Sequence, residues 1–284
     1  MLKQRVITAL VLLAIVLPAL FYRTPEPFIA LALVLMAAGA WEWGRLNGLG
    51  SGASLGLGLV CVALCAWAWR AGLPARALPL LWLAGGAAWV LGACALLRAG
   101  VAGWPRVPRG LRIGAGLAAL WLAWLAVAQA RVLGVNFLLS VLALVWAADI
   151  FAYFAGRAFG LRFTRRKLAP AISPGKSWEG AWGGMLGVLV LAAVWIAAER
   201  AWPPEVPSLY TRLAHGGWWL LLPGVLLMVA MSVAGDLVES LVKRSAGVKD
   251  SSALLPGHGG VLDRVDALLP TLPLALMLCQ WIAA

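Results

Sequence analysis

The sequence predicts an all-α, polytopic integral membrane protein with about nine transmembrane helices. Of its 284 residues, 63% are hydrophobic and 12% are charged, and the mean hydropathy is +0.91. Soluble domains carry about 25% charged residues, so this chain lacks the polar surface that a water-soluble fold needs. Its hydrophobic residues also occur in repeated long runs, which short polar segments separate.

Nine of these runs can cross a bilayer, because a spanning helix needs about 20 mostly apolar residues. Trp residues near the ends of the runs are typical of the membrane–water interface. The first run follows a charged start, as in a signal peptide, but no cleavage site with a polar mature domain follows, which favours an uncleaved helix. The predicted spans are 5–22, 26–46, 52–70, 77–98, 111–130, 134–156, 180–198, 217–242 and 261–282.

The basic residues indicate how these spans are oriented. The formal net charge is +12, and 17 of the 23 Lys and Arg residues fall on one side of the nine predicted spans. Cytoplasmic loops are rich in Lys and Arg, so we expect a cytoplasmic N-terminus and active site in a multi-pass protein of the cell inner membrane. The lipid bilayer is then its environment. A nucleic-acid partner is not expected, because the bases lie in short loops between apolar runs.

Charge is unevenly distributed along the chain. Region 1–133 is predicted to form N-terminal transmembrane helices, and its only acids are Glu26 and Glu42. Region 134–284 is predicted to be the catalytic transmembrane region with cytoplasmic loops, because acids, bases, Gly and Pro cluster there in two stretches. The four cysteines lie in apolar runs without a nearby His or acid, which favours buried hydrophobic residues over a metal site.

The first stretch, 149–180, begins at the end of the sixth predicted helix. Asp149, Tyr153 and Gly156 are spaced i, i+4 and i+7 and therefore share one helix face. An acid inside an apolar span is costly and is by default functional, although an acid at a helix end could also lie in interfacial water. We therefore expect Asp149 and Tyr153 to contact a substrate.

A loop rich in bases and turn-forming residues follows. Its segment Ser173-Pro-Gly-Lys176-Ser177 is similar to a phosphate-binding loop, but the first Gly of the Walker A pattern is missing and no strand precedes it. Backbone N–H groups at a helix start, together with a Lys, are still suited to phosphate oxygens. Lys167, Ser173, Lys176 and Ser177 are therefore candidate substrate ligands.

The second stretch, 235–266, gives the strongest signal, since two acidic helix faces flank a Gly-rich loop with Lys and Arg interleaved. Mg²⁺ prefers hard oxygen ligands and is often held by one or two carboxylates plus substrate phosphates. The alternative is a set of intramembrane ion pairs, such as Asp236 with Lys243. The stretch contains Asp236, Glu239, Ser240, Lys243 and Arg244, then Lys249 and Asp250, then His258, Gly259 and Gly260, and finally Asp263, Arg264 and Asp266.

His258 lies between Pro256-Gly257 and Gly259-Gly260, where the backbone can approach a ligand closely. This position favours a phosphate contact or a structural role over a general base.

Residues 240–266 resemble the signature of the bacterial phosphatidate cytidylyltransferases. The matching residues are Ser240-Leu-Val-Lys243-Arg244, Lys249-Asp250 and Pro256-Gly257-His258-Gly259-Gly260-Val-Leu-Asp263-Arg264-Val-Asp266. The segment from Asp149 to Gly180 is similar to a second conserved block of that family, with Ser177 where a Thr is expected. By motif, the resemblance covers roughly the C-terminal half of the chain.

The resemblance implies a multi-helix enzyme that needs Mg²⁺, transfers CMP from CTP to phosphatidate, and releases pyrophosphate to leave CDP-diacylglycerol. Its implied metal ligands are Asp236 and Asp263, with Glu239 and Asp266 as further candidates. The candidate catalytic residues are Asp236, Asp263, Lys176, Lys249 and Asp250. The candidate substrate-binding residues are Lys167, Ser173, Ser177, Lys243, Arg244, His258, Gly259, Gly260, Arg264, Asp149 and Tyr153.

The sequence leaves two other functions open. One is cytidylyl or phosphate transfer to another lipid phosphate, although the D-G-x-x-A-R pattern of CDP-alcohol phosphotransferases is absent. The other is a membrane transporter, which can also have intramembrane acids and broken helices, but the acids here concentrate at one membrane face. A homodimer is also left open, and the first four helices could frame a lipid entry groove or a dimer face.

Overall fold

The computed structural model describes residues 2–282 and is predominantly helical, which confirms the predicted fold class. Residues 1, 283 and 284, at the outer ends of the two predicted regions, lie outside this range. Two short strands, β1 (Lys167–Ala169) and β2 (Ser173–Ser177), form an antiparallel hairpin. The prediction of a loop with no preceding strand is therefore wrong for this segment. The helices are α1 (Leu2–Leu20), α2 (Glu26–Leu46), α3 (Ser51–Arg70), α4 (Pro79–Ala99), α5 (Arg109–Leu133), α6 (Val135–Phe159), α7 (Trp178–Ala201), α8 (Leu209–His215), α9 (Trp218–Ser245), α10 (Leu262–Val265) and α11 (Leu268–Ile282).

Seven helices, α2 to α7 and α9, are long and apolar enough to cross a membrane. Helix α1 is apolar but shorter. The last predicted span is wrong as a continuous helix, because the chain breaks between α10 and the 15-residue α11. Pro270 explains the break, since a proline has no N–H and its ring clashes with the carbonyl four residues earlier, that of Asp266. Length and composition thus support seven of the nine predicted spans.

The loops that the charge distribution assigns to one side lie together in the structure. Arg5, on α1, donates its Nε–H to the carbonyl oxygen of Gly257 over 3.0 Å. The hydroxyl of Ser245, at the end of α9, donates to the carbonyl oxygen of Val101 over 2.8 Å. The start of α1, the α4–α5 connection and the 246–261 segment therefore share one end of the helical bundle, called the loop end below.

The opposite end of the bundle is closed by other contacts. The backbone N–H of Leu78 donates to Oε1 of Gln280, near the end of α11, over 3.1 Å. Arg131 donates to the carbonyl oxygen of Tyr22, just after α1, over 2.6 Å. Helices α1 and α11 therefore run between the same two ends as the seven longer helices.

The core lies where α5, α6, α9 and α11 meet, and residues 123–131 of α5 are buried all round. Glycines let α6 and α7 approach closely: a Cβ on Gly184 would lie 2.9 Å from the carbonyl oxygen of Ala148, and one on Gly180 would lie 2.9 Å from that of Ala152. Small residues spaced four apart commonly permit such helix contacts in membranes. The contact holds the β-hairpin, which immediately precedes α7, beside the end of α6.

Candidate active site

A cavity of about 410 Å³ lies between α6, α7 and α9 near the loop end. The predicted shared face of α6 is confirmed, because Asp149, Tyr153 and Gly156 all line this cavity. Helix α9 contributes Asp236 from the opposite wall, and β2 contributes Lys176. The polar side chains that line the cavity are Asp149, Tyr153, Arg157, Lys176, Ser177 and Asp236.

An ion pair between Lys176 and Asp236 crosses this cavity. The Lys176 Nζ lies 2.6 Å from Asp236 Oδ2, and the two side chains are 25% and 32% exposed. The Ser240 hydroxyl, one turn further along α9, donates to Asp236 Oδ1 over 3.2 Å. Asp149 interacts electrostatically with both members of the pair. Because the pair remains partly exposed, an anion that enters the cavity can reach the Lys176 ammonium group.

A second, more buried ion cluster surrounds Lys243. Its ammonium group contacts Glu239, one turn earlier on α9, and lies 2.5 Å from Asp263 Oδ1. The alternative pairing of Asp236 with Lys243 does not form, since Asp236 pairs with Lys176 instead. Asp266 interacts electrostatically with both Asp236 and Lys243, so it links the two clusters.

Asp263, in α10 and outside the spanning helices, is held by several donors. Its Oδ2 accepts hydrogen bonds from the Ser251 N–H over 2.9 Å, the Ser251 hydroxyl over 2.8 Å and the Gly260 N–H over 2.7 Å. Burial alone would raise the pKa of Asp263, but these donors and Lys243 outweigh it and hold the pKa below its ordinary value. Asp263 is therefore ionised at neutral pH, and its Oδ2 is fully occupied by protein donors.

Glu42, on α2, is a site residue that is not among those predicted from the sequence. Its side chain is fully buried, and its carboxylate accepts four hydrogen bonds from segment 251–262. The signal was available, because Glu42 is an acid inside an apolar span, which is the reason Asp149 was selected.

The Gly-rich loop packs against these carboxylates. Gly259 adopts φ +83°, which favours glycine, and its carbonyl oxygen accepts from the Leu255 N–H over 2.8 Å. A Cβ on Gly260 would lie 2.3 Å from Glu42 Oε1. The sequence pattern predicts that these glycines allow close approach of a ligand, whereas a Cβ on Gly260 would collide with the Ser251 hydroxyl and the Glu42 carboxylate of the protein itself. His258 is half-buried beside them, and its Nδ1 has no hydrogen-bond partner within residues 2–282.

The residues at the cavity are chemically suited to a hard divalent cation. Asp149 and Asp236 line the cavity with carboxylate groups, and Mg²⁺ in proteins commonly completes its coordination with substrate phosphates and water. Within the part of the chain that the structure describes, no three His, Cys, Asp or Glu residues are grouped as a preformed metal site. A cation here would therefore depend on substrate oxygens for most of its ligands.

Comparison with known proteins identifies the family. The model of the cytidylyltransferase family matches residues 3–282, nearly the whole chain. This chain belongs to the cytidylyltransferase family. A Pseudomonas aeruginosa protein named phosphatidate cytidylyltransferase is 40% identical over 282 residues, covering 96% of this chain and 95% of its own. A Haemophilus influenzae protein of the same name is 51% identical over 140 residues, covering 49% and 44%, respectively.

In this cytidylyltransferase the predicted site residues divide into two groups. The first group lines the cavity or belongs to the adjoining ion cluster. Ser177 lies at the cavity, but its hydroxyl also caps α7 by accepting from the Gly180 N–H over 3.1 Å. The members of this group are Asp149, Tyr153, Lys176, Ser177, Asp236, Glu239, Lys243, Asp263 and Asp266.

The second group does not line the cavity. Lys167 is exposed on the hairpin and donates to the carbonyl oxygen of Pro174 over 2.5 Å. Arg264 is exposed but interacts electrostatically with Asp149. Lys249 and Asp250 lie on an exposed turn after α9, and neither forms an ion pair within the described range. The structure therefore does not bring these two candidate catalytic residues to the cavity. The remaining members are Ser173, Arg244, His258, Gly259 and Gly260.

Proposed function

We propose that this membrane cytidylyltransferase transfers CMP from CTP to phosphatidate, which yields CDP-diacylglycerol and pyrophosphate. The name of the Pseudomonas aeruginosa relative, which matches over 95% of its length, supports this substrate pair. The observation that carries the proposal at the site is the Lys176–Asp236 pair in a cavity near the loop end of the helices. A soluble nucleotide and a membrane lipid can both reach such a position.

The reaction needs no strong general base, because the phosphatidate phosphate is already an anion near neutral pH. One of its oxygens forms a bond to the α-phosphorus of CTP. The bond from that phosphorus to the oxygen bridging to the β-phosphorus breaks, and the electron pair leaves with pyrophosphate. The main barrier is repulsion between two anions, so cationic side chains and fixed positioning supply the catalysis. Lys176 and Arg157, which line the cavity, are placed to neutralise phosphate oxygens.

We also propose that Mg²⁺ takes part: when bound, it would act as a Lewis acid that neutralises phosphate charge and stabilises the leaving group. Asp236 is the best-supported ligand because it lines the cavity, and Asp266 interacts electrostatically with it. Asp263 can contribute only Oδ1, which now contacts Lys243, because protein donors occupy its Oδ2. Glu239 is the fourth candidate, and its Oε1 is buried without a hydrogen-bond partner among the residues that the structure describes.

Exposed aromatic residues near the cavity support a route for the lipid. Tyr153 and Phe154 are 59% and 63% exposed on α6, and Trp178 and Trp182 are exposed on α7. Trp and Tyr side chains are enriched where protein meets the membrane–water interface. Phosphatidate would enter the cavity from this surface, with its headgroup toward Lys176.

The charge distribution supports a cytoplasmic loop end in the inner membrane. Cysteines introduced one at a time at positions 249 and 205 would lie at opposite ends of the bundle. Lys249→Cys and Glu205→Cys therefore test this orientation. In intact spheroplasts we expect a membrane-impermeant maleimide to label only the Glu205→Cys variant above the parent protein. Labelling of Lys249→Cys instead would show that the orientation is the opposite of the one proposed.

Purified protein with radiolabelled CTP tests the reaction. We expect CDP-diacylglycerol and pyrophosphate in equal amounts, a loss of turnover in Asp263→Asn, and normal turnover in Glu205→Gln, which changes an exposed acid far from the site. Transfer to an isoprenoid phosphate but not to phosphatidate would assign a different lipid substrate. No CMP transfer to any lipid phosphate by the folded wild type would refute the proposal.

A further inference from the structure

We propose that Glu42 is a positioning residue, whose carboxylate holds segment 251–262 in the shape that presents Asp263 to Lys243. The role of Asp263 in this statement rests on the proposed function. Glu42 lies on α2, more than 200 residues before the segment that it contacts. The N-terminal helices would then contribute directly to the shape of the active site.

Donors from this one segment surround the Glu42 carboxylate. Oε1 accepts from the Ser252 hydroxyl over 2.5 Å and from the Val261 N–H over 2.9 Å. Oε2 accepts from the Ser251 hydroxyl over 3.1 Å and from the Leu262 N–H over 2.7 Å. A carboxylate has about four lone-pair sites, and each faces one of these donors, of which the Ser251 hydroxyl is shared with Asp263. No described Lys or Arg pairs with Glu42, so these donors take the place of a counter-ion.

The same segment connects Glu42 to Asp263. The Gly260 N–H donates to Asp263, and the next two N–H groups, of Val261 and Leu262, donate to Glu42. The Ser251 hydroxyl lies within hydrogen-bond distance of both carboxylates, although its single proton can serve only one of them at a time. A shift of the segment away from Glu42 would therefore move the donors that orient Asp263.

Replacing Glu42 by glutamine changes these hydrogen bonds but keeps the size and shape of the side chain. Its NH₂ group only donates, yet each oxygen of Glu42 faces one backbone N–H, which also only donates. Whichever way the amide is turned, either Val261 or Leu262 loses its acceptor, and a buried unpaired N–H is costly. The segment should respond by moving or opening.

The test compares Glu42→Gln with Glu26→Gln, which changes an exposed acid at the other end of the same helix. For Glu42→Gln we expect kcat to fall about 100-fold, as for a reacting group displaced by about 1 Å, with the KM for CTP changed less than about threefold. Hydrogen exchange in 251–262 should become faster. Glu26→Gln should match the wild type in kcat, KM and exchange.

Ser252→Ala provides a second variant, because it removes one donor and leaves both N–H groups paired. We expect a smaller fall in kcat, faster exchange at residues 251–262, and no further fall when it is combined with Glu42→Gln. If Glu42→Gln does not fold, unchanged exchange and kcat in Ser252→Ala overturn the proposal.

Hydrogen exchange and kcat equal to the wild type in folded Glu42→Gln would also overturn the proposal. A loss of activity that only parallels a loss of folded protein would overturn it too. Absence of CMP transfer in the wild type would refute the proposed function and remove the kinetic part of this role. Exchange in 251–262 would still decide whether Glu42 holds the segment.

Discussion

Alanine at position 260 is expected to disable the site by a small, local displacement. Its Cβ would lie 2.1 Å from the Ser251 hydroxyl oxygen and 2.3 Å from Glu42 Oε1. Ordinary contact begins at 3.4 Å, so Ser251 must retreat by about 1.3 Å. Ser251 is 6% exposed and Glu42 is fully buried, so neither can move into solvent.

The displacement breaks the hydrogen bonds of the Ser251 hydroxyl to Asp263 and Glu42, which measure 2.8 and 3.1 Å. Because the hydroxyl has a single proton, only one of these hydrogen bonds exists at a time. Its loss costs about 1.5–3 kcal/mol, the usual range for a hydrogen bond to a charged group. A misplacement of about 1 Å near a reacting group can lower the rate about 100-fold. We therefore expect the turnover rate of Gly260→Ala to be at least about 100-fold lower than that of the wild type.

The assay is the initial rate of CDP-diacylglycerol formation, with thermal unfolding in detergent measured on the same samples. Gly110→Ala is the matched control, since a Cβ there would meet no atom of residues 2–282 within 4 Å. It should keep wild-type rate and stability. If Gly260→Ala retained more than half of the wild-type rate, the packing of Gly260 against the carboxylates could not be required for activity.

Two further substitutions probe other parts of the site. Lys176→Met should lower kcat/KM for CTP about 10- to 150-fold, because a hydrogen bond to a charged group contributes about 1.5–3 kcal/mol. Arg200 is exposed at the far end of α7, so Arg200→Met should leave kcat/KM for CTP unchanged. Equal values for the two variants would exclude a contact between Lys176 and a phosphate. Gly184→Val should lower the free energy of unfolding by about 1–3 kcal/mol through overpacking against α6. A Cβ on Gly56 would meet no atom of the described part of the chain within 4 Å, so Gly56→Val should unfold at a higher temperature than Gly184→Val. A reversed order would contradict the close α6–α7 packing.

Local sequence patterns predicted the features that depend on neighbours along the chain. Hydropathy located the seven long helices, and the predicted span 26–46 has the same bounds as α2. Helical spacing also predicted that Asp149 and Tyr153 share a face, since a helix fixes the direction of residues four apart. The break before α11 could have been predicted from Pro270, because the proline rule is equally local.

Contacts between distant residues were not predictable in this way. Spacing alone could not pair Lys176 with Asp236, because the β-hairpin and α9 meet only in the folded chain. Glu42 likewise depends on packing of α2 beside a segment more than 200 residues away. Motif membership grouped Lys249 and Asp250 with the acids of α9, but the chain turns outward after Ala246 and leaves both exposed.

The affinity for CTP, measured in Mg²⁺ and again in EDTA, tests most directly whether Asp236 acts through a cation. The account predicts that Asp236→Asn weakens CTP binding in Mg²⁺, because a ligand of the cation is lost. In EDTA the same substitution should leave binding unchanged or strengthen it, because one negative charge facing the triphosphate is removed. Equal affinities of wild type and Asp236→Asn in Mg²⁺ would contradict a cation held between Asp236 and the nucleotide.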